Sequence, residues 1–205
     1  MKRNTSKKIE LLAPAGDLQR LKTAVVFGAD AVYCGLPQWS MRSGREITFT
    51  LKTLKEGIAF AHERGVKVYM TINIFPHEGS ITRLPQDLKK IAKLNLDGII
   101  VADIGVLALV KKYLPFPIHL STQANTVNSA AAQAWKNMGV KRIVLARELT
   151  LKEIKKITQK IKGVTFEVFG HGSMCMAYSG RCLLSKYFTD REANCGQCAQ
   201  SCRWK

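Results

Sequence analysis

Five of the six cysteines in this sequence fall between Cys175 and Cys202, at separations C-x6-C-x12-C-x2-C-x3-C. Thiolates are the preferred ligands of iron-sulfur clusters and of structural zinc, and either centre needs about four of them converging. The candidates are Cys175, Cys182, Cys195, Cys198 and Cys202, with Cys34 far from them in the chain. A zinc ribbon usually shows two CxxC knuckles. Only Cys195 and Cys198 form one here, which shifts the balance toward an Fe-S cluster, 4Fe-4S being the type expected and zinc the alternative, while spacing by itself does not settle the metal. Free thiols, or a redox pair at Cys195 and Cys198, are the plainer readings of the same residues.

A second set is spread along the chain: Asn73, Asp103, Ser121-Thr122-Gln123, Asn125, Arg147-Glu148, Glu167 and His171. Each ends or follows a short apolar run. Gathered at one mouth, their amides and hydroxyls would orient a substrate and Arg147 would pair an anionic group. Taken singly, about half would only cap following helices, Asp103 and Thr122 foremost. The catalytic candidates are Asn73, Gln123, Arg147, Glu167 and His171. His171, between Gly170 and Gly172 and just before Cys175, is placed to touch substrate or the surroundings of a metal. None of the four histidines joins an HExxH or G-x-S-x-G arrangement, and His62, within a helical stretch, reads as a surface residue.

Arginines and aromatic residues interleave around Trp39, Arg42 and Arg45, and again at Arg181, Tyr187, Phe188, Arg191, Arg203 and Trp204. That mixture suits RNA, whose unstacked bases find aromatic faces and whose phosphates find guanidinium groups; ordinary loop packing is the alternative. Lys+Arg number 32 against 15 Asp+Glu, a net +17 that favours polyanionic partners. Lysine-rich solvated helix faces would give the same sum.

The elements that must position these residues alternate between short apolar runs and stretches of helical period. Strands are predicted at 9–13, 31–34, 67–72, 98–102, 118–121, 142–146 and 165–169, with helices at 17–27, 54–64, 85–94, 105–113, 129–138 and 151–161. Asp17, Thr53, Ser129 and Thr150 are the predicted N-caps, and Gly28, Gly65, Gly139 and Gly163 the C-terminal glycines. Recurrence of one unit per about 25 residues, with no GxGxxG after the first strand, favours a TIM-type (β/α)8 barrel over a doubly wound sheet. Only seven strands are found, so the barrel is expected to be incomplete, the chain ending before the eighth. Residues 1–170 would form the barrel units and 171–205 a cysteine-rich cluster-binding loop. Closure would come from a barrel unit missing from this chain or from a partner subunit. At 205 residues and 46% hydrophobic, the chain supports a sizeable core. It carries neither a spanning apolar run nor a signal-peptide core, so a cytoplasmic protein without a membrane partner is expected.

The stretch from His171-Gly-Ser-Met-Cys175 through Arg181-Cys182-Leu-Leu-Ser185 to Cys198-x3-Cys202-Arg203-Trp204 resembles the signature of the collagenase-like peptidase family, the U thirty-two peptidases. Leu11-Leu12-Ala13-Pro14-Ala15-Gly16, Asp30-Ala31-Val32-Tyr33 and Ser121-Thr122-Gln123 resemble further segments of that family, so the likeness covers essentially the whole chain. It is nearest to the family's tRNA hydroxylation members. The resemblance implies an Fe-S-dependent tRNA modification protein that hydroxylates the wobble uridine, with prephenate as a small carboxylate co-substrate. Cys175, Cys182 and Cys198 would be cluster ligands, with a fourth cysteine beyond this chain; Cys202 and Cys195 are weaker candidates. A metal-dependent collagenase-like peptidase, or an rRNA or quinone hydroxylation subunit of the same family, is the alternative. Proteolysis lacks an evident nucleophile and oxyanion site here, although zinc with an open position would activate water.

Overall fold

A computed structural model describes residues 9–41 and 48–204. Seven strands form one parallel sheet in chain order: β1 (Leu12–Pro14), β2 (Ala31–Gly35), β3 (Lys67–Ile72), β4 (Gly98–Val101), β5 (Ile118–Leu120), β6 (Arg142–Val144) and β7 (Thr165–Glu167). The helices between them are α1 (Leu18–Val26), α2 (Leu51–His62), α3 (Glu78–Ile81), α4 (Leu84–Ile91), α5 (Ile104–Tyr113), α6 (Ser129–Asn137) and α7 (Leu151–Lys160), and α8 (Leu184–Thr189) follows β7. This is an incomplete TIM-type barrel. β1 and β7 are its two edges.

Strand side chains alternate between two environments, as the two-residue repeat requires. Val68, Met70 and Ile72 of β3, Ile99 and Val101 of β4 and Leu120 of β5 point outward and pack against Leu21, Leu54, Leu84, Leu88 and Val106 of the helices. Full burial of each such side chain contributes about 1.5–3 kcal/mol. The alternate residues Ala31, Tyr69 and Ile100, with Leu12 and Tyr33, form a smaller apolar layer inside the curl.

Helix boundaries follow local chemistry. Asp17 caps α1 by accepting from Arg20 N–H at 2.7 Å, and Thr150 forms a reciprocal capping box with Glu153 at the start of α7. Thr53, predicted as a cap, is instead the third residue of α2. Thr50 is the cap and the two threonines bond reciprocally, so the helix starts a turn earlier than its apolar period suggests. Asn128, not Ser129, caps α6, because its carboxamide oxygen reaches Ala131 N–H at 2.8 Å. His62 is not a plain surface residue either: it is half-buried, with Nε2 2.8 Å from Asp97 Oδ2, which also accepts from Val68 N–H.

The amino-terminal end of the barrel interior holds a charged network. Glu10, just before β1, accepts from Arg142 of β6 at 2.6 Å and from Tyr69 and Lys67 of β3, both at 3.0 Å. Glu167 of β7 faces the same guanidinium, Oε2 standing 3.8 Å from Arg142 Nη1. His119 of β5 packs edge-on against Tyr69, ring centroids 4.6 Å apart, and burial holds it neutral, with its pKa lowered to about 4. Among the described residues no helix is long and apolar enough to cross a membrane.

Candidate functional site

The carboxyl ends of the strands form the mouth where parallel barrels carry their chemistry. Asn73 directly follows β3, and Gln123 lies in the short 3-10 turn Thr122–Ala124 after β5. Asn73 Nδ2 donates to Gln123 Oε1 at 2.6 Å, and Gln123 Nε2 donates back to the Asn73 carbonyl at 3.0 Å. Ser121 Oγ donates to the same Gln123 Oε1 at 2.8 Å, and Met41 N–H donates to Asn73 Oδ1 at 3.0 Å. Both lone pairs of Gln123 Oε1 are therefore occupied. Half-buried Asn73 and buried Gln123 each keep one N–H beyond these bonds, a donor of the kind that pairs with carbonyl or carboxylate oxygens.

Beside this pair, Thr71 Oγ1 lies 3.0 Å from both the Cys34 carbonyl and Ser40 Oγ. Gly35 sits against the same two side chains, and a Cβ there would collide with the Thr71 hydroxyl and the Ser40 Cβ. Gly35→Ala should therefore lower stability by about 1–3 kcal/mol, read as a shifted urea midpoint.

Arg147, after β6, fastens the segment beyond β7 to the mouth. Nη1 donates to the Ser173 carbonyl at 2.9 Å, Nη2 to Ser179 Oγ at 3.2 Å, and the guanidinium stands 5.3 Å from the Phe169 ring centre. Its Nε is buried without a protein partner. Asp103 is the N-cap of α5, and Thr122 Oγ1 bonds the Leu145 carbonyl at 3.1 Å, so these two candidates have structural partners. Glu148 and His171 are exposed and stand outside the hydrogen-bonded set. Glu167 is not at the mouth. It is the last residue of β7 and points into the barrel toward Arg142, where burial raises its pKa to about 7 against the opposing charge of Arg142.

The cysteine segment folds around α8 and two further 3-10 turns, Ala193–Cys195 and Ser201–Arg203, none of which the sequence reading anticipated. Cys182 Sγ accepts from Leu184 N–H and Cys198 Sγ from Gln200 N–H, each at 3.4 Å. Ser185 Oγ lies 3.9 Å from Cys198 Sγ and accepts from Ala199 N–H at 2.9 Å, anchoring that loop to α8. Backbone N–H groups are thus aimed at both sulfurs. Cys175 is half-buried and Cys202 exposed. Thiolates around one zinc ion stand about 3.8 Å apart, given Zn–S near 2.3 Å. Among the described residues, the group of three ligand atoms within 4.8 Å of one another is His77, Glu192 and Cys195 instead. A preformed zinc site of Cys175, Cys182, Cys198 and Cys202 does not match this arrangement. A cluster is several atoms wide and would hold its ligands farther apart than a single zinc ion does.

The aromatic and basic residues are exposed beside these thiols. The Tyr187 and Phe188 rings are 5.0 Å apart, and Phe188 and Trp204 6.0 Å. Arg181 stacks over Phe75 at 4.7 Å, Arg203 donates to the Met174 carbonyl at 3.0 Å, and Arg191 is exposed. Arg42 and Arg45 lie outside the described residues. Sequence reasoning had not singled out His77, Glu192, Ser40 or Thr71. The Pro76-His77-Glu78 stretch leading into α3 was the available signal for the first.

The sequence model of Peptidase family U32 matches residues 16–205. The tRNA hydroxylation protein P of Escherichia coli is 45% identical over 199 residues, covering 97% of this chain and 44% of that protein. The 23S rRNA 5-hydroxycytidine synthase of Escherichia coli is 37% identical over 199 residues, 97% of this chain and 30% of that protein. This chain thus spans less than half the length of both relatives. In fold it is similar to the solved U32 peptidase Mk0906, at a TM-score of 0.67 and 16% identity over 78% of this chain and 68% of that one.

Proposed function

This chain belongs to peptidase family U32, and from that premise we propose that it serves RNA base hydroxylation, its target the wobble uridine of tRNA. The observation that carries the proposal is that relatives matched over 97% of this chain are named for tRNA hydroxylation and for rRNA hydroxycytidine synthesis. The site chemistry supports the same reading. The N–H groups left on Asn73 and Gln123 suit the carbonyl oxygens of a pyrimidine or the carboxylate of a co-substrate such as prephenate. Arg147 would place positive charge at the same mouth, its buried Nε still able to donate. Tyr187, Phe188 and Trp204 would stack unpaired bases while Arg181, Arg191 and Arg203 pair phosphates. Cys175, Cys182 and Cys198 would hold an Fe-S cluster, which when bound supplies one-electron transfer. The reaction would take place in the cytoplasm, where tRNA resides.

The test is nucleoside analysis of tRNA from a strain lacking the gene. The hydroxylated uridine should disappear and return with the wild-type gene. An unchanged nucleoside profile overturns the proposal. Unchanged tRNA together with chelator-sensitive peptide cleavage by the purified protein would place it with the metal-dependent peptidases instead.

A further inference from the structure

We propose that His77, Glu192 and Cys195 form a binding site for one divalent ion of the zinc class, separate from Cys175, Cys182 and Cys198. Their ligand atoms lie within 4.8 Å of one another, and His77 Nε2 is already 3.5 Å from Glu192 Oε2. They come from two loops: His77 from the segment between β3 and α3, and Glu192 and Cys195 from either end of a 3-10 turn beyond α8.

Contacts that require no metal hold these loops together. Phe75 N–H donates to the Asn194 carbonyl at 3.1 Å, and the Cys195 thiol lies 3.5 Å from the Phe75 carbonyl. Asn194 Oδ1 accepts from Cys182 N–H at 3.2 Å, and Arg181 covers the Phe75 ring at 4.7 Å. The backbone has thus brought the three ligands together in advance, and only side-chain rotation remains.

The ligand types select the ion. Zinc binds imidazole nitrogen, carboxylate oxygen and thiolate sulfur at about 2.0–2.3 Å, so neighbouring ligand atoms around a tetrahedral ion stand roughly 3–4 Å apart. The His77 to Glu192 distance already falls in that range. Magnesium and calcium prefer oxygen throughout, and a mixed N, O and S set disfavours them. Three protein ligands leave a fourth position for solvent. On binding, the Cys195 thiol releases its proton to water as the sulfur enters as thiolate, so one proton leaves per ion taken up. The ion would staple the loop that continues from Asn73 to the segment carrying the other thiols.

The site does not depend on the hydroxylation reading, and its test does not use that activity. Cobalt(II), a spectroscopic stand-in for zinc, is titrated anaerobically into the full-length protein, wild type and His77→Ala, with iron content measured in parallel. The difference between the two titrations should be one cobalt per chain, bearing the charge-transfer band of a single thiolate and displaced by zinc. Affinity at that site should fall at least ~100-fold in His77→Ala and in Cys195→Ala. His77 is exposed, so its replacement leaves packing intact and guards against a Cys195 variant that fails to fold. Identical cobalt titrations of wild type and His77→Ala overturn the proposal. Loss of iron on Cys195→Ala overturns it as well, by assigning that thiol to a cluster.

Discussion

Arg142→Met should destabilise the fold by roughly 3 kcal/mol, the low end of what breaking a buried ion pair costs because these side chains remain about a fifth exposed. The substitution removes the guanidinium that Glu10 and Glu167 share and leaves the half-buried Glu10 carboxylate without its shortest partner. Urea unfolding at neutral pH measures the loss, and Arg142→Lys should recover part of it as a point charge without the fork.

The pH dependence of the same network has two opposite parts. Burial pushes Glu10 upward, but hydrogen bonds from Arg142, Lys67 and Tyr69 win and hold its pKa at about 2, below the ordinary 4.5. Its contribution is full above about 4.5 and is lost as pH falls toward 2. Burial raises Glu167 to about 7, and Arg142 only partly opposes it. Its contribution is full below about 4.5 and is lost as pH rises through 7. Buried His119, its pKa lowered from 6.5 to about 4, works the other way below about 6.5, so stability should be nearly flat from pH 5 to 6.5 and fall between about 6.5 and 8. Glu167→Gln should flatten that slope and Arg142→Met should shift it upward in pH. A wild-type curve with no decline across that interval would show that Glu167 is ionised throughout.

Cys182→Ala and Cys198→Ala should each abolish iron retention and reduce tRNA hydroxylation at least ~100-fold, the largest functional effect expected. Both sulfurs accept backbone N–H bonds, and Cys198 is further fixed through Ser185 of α8. Cys34→Ala is the matched control. Its thiol is fully buried, burial pushes its pKa up to about 12, and it lies against the Tyr69 carbonyl, so its loss should leave iron content unchanged. Iron and acid-labile sulfide assays on anaerobically purified variants decide the matter. Full iron content in both Cys182→Ala and Cys198→Ala would remove these residues from the ligand set.

The barrel units were readable in sequence because strand and helix differ in period and their ends carry capping chemistry. β3 falls where the apolar run Lys67–Ile72 placed it, and α7 starts at the Thr150 and Glu153 pair. The Asn73 to Gln123 pairing was accessible in part: both positions follow strands, but their direct bond across 50 residues is set by sheet order and curl. The charged network was not legible. Lys67, His119 and Arg142 stand at strand starts, where polar residues ordinarily meet water, and Glu10 reaches Arg142 across 132 residues. Glu167 was assigned to the mouth because sequence shows where a strand lies but not which face of a curled sheet each residue takes. The cysteine segment shows spacing without geometry, since its loops are shaped by contacts with α8 and Phe75 that have no periodic signature.

Glu10 and Arg142 stand near opposite sides of the open seam, one beside the β1 edge and the other one strand in from β7. A ladder-closed barrel resists deformation equally around its circumference. Among the described residues the gap between β1 and β7 is bridged by the Glu10 to Arg142 ion pair rather than by a strand ladder. Arg147 stands on the β6 side and Asn73 on the β3 side, and the cysteine segment is tied to both, through Ser173 and Ser179 to Arg147 and through Asn194 to Phe75. A change in the distance between those two sides therefore pulls directly on the segment that carries the thiols.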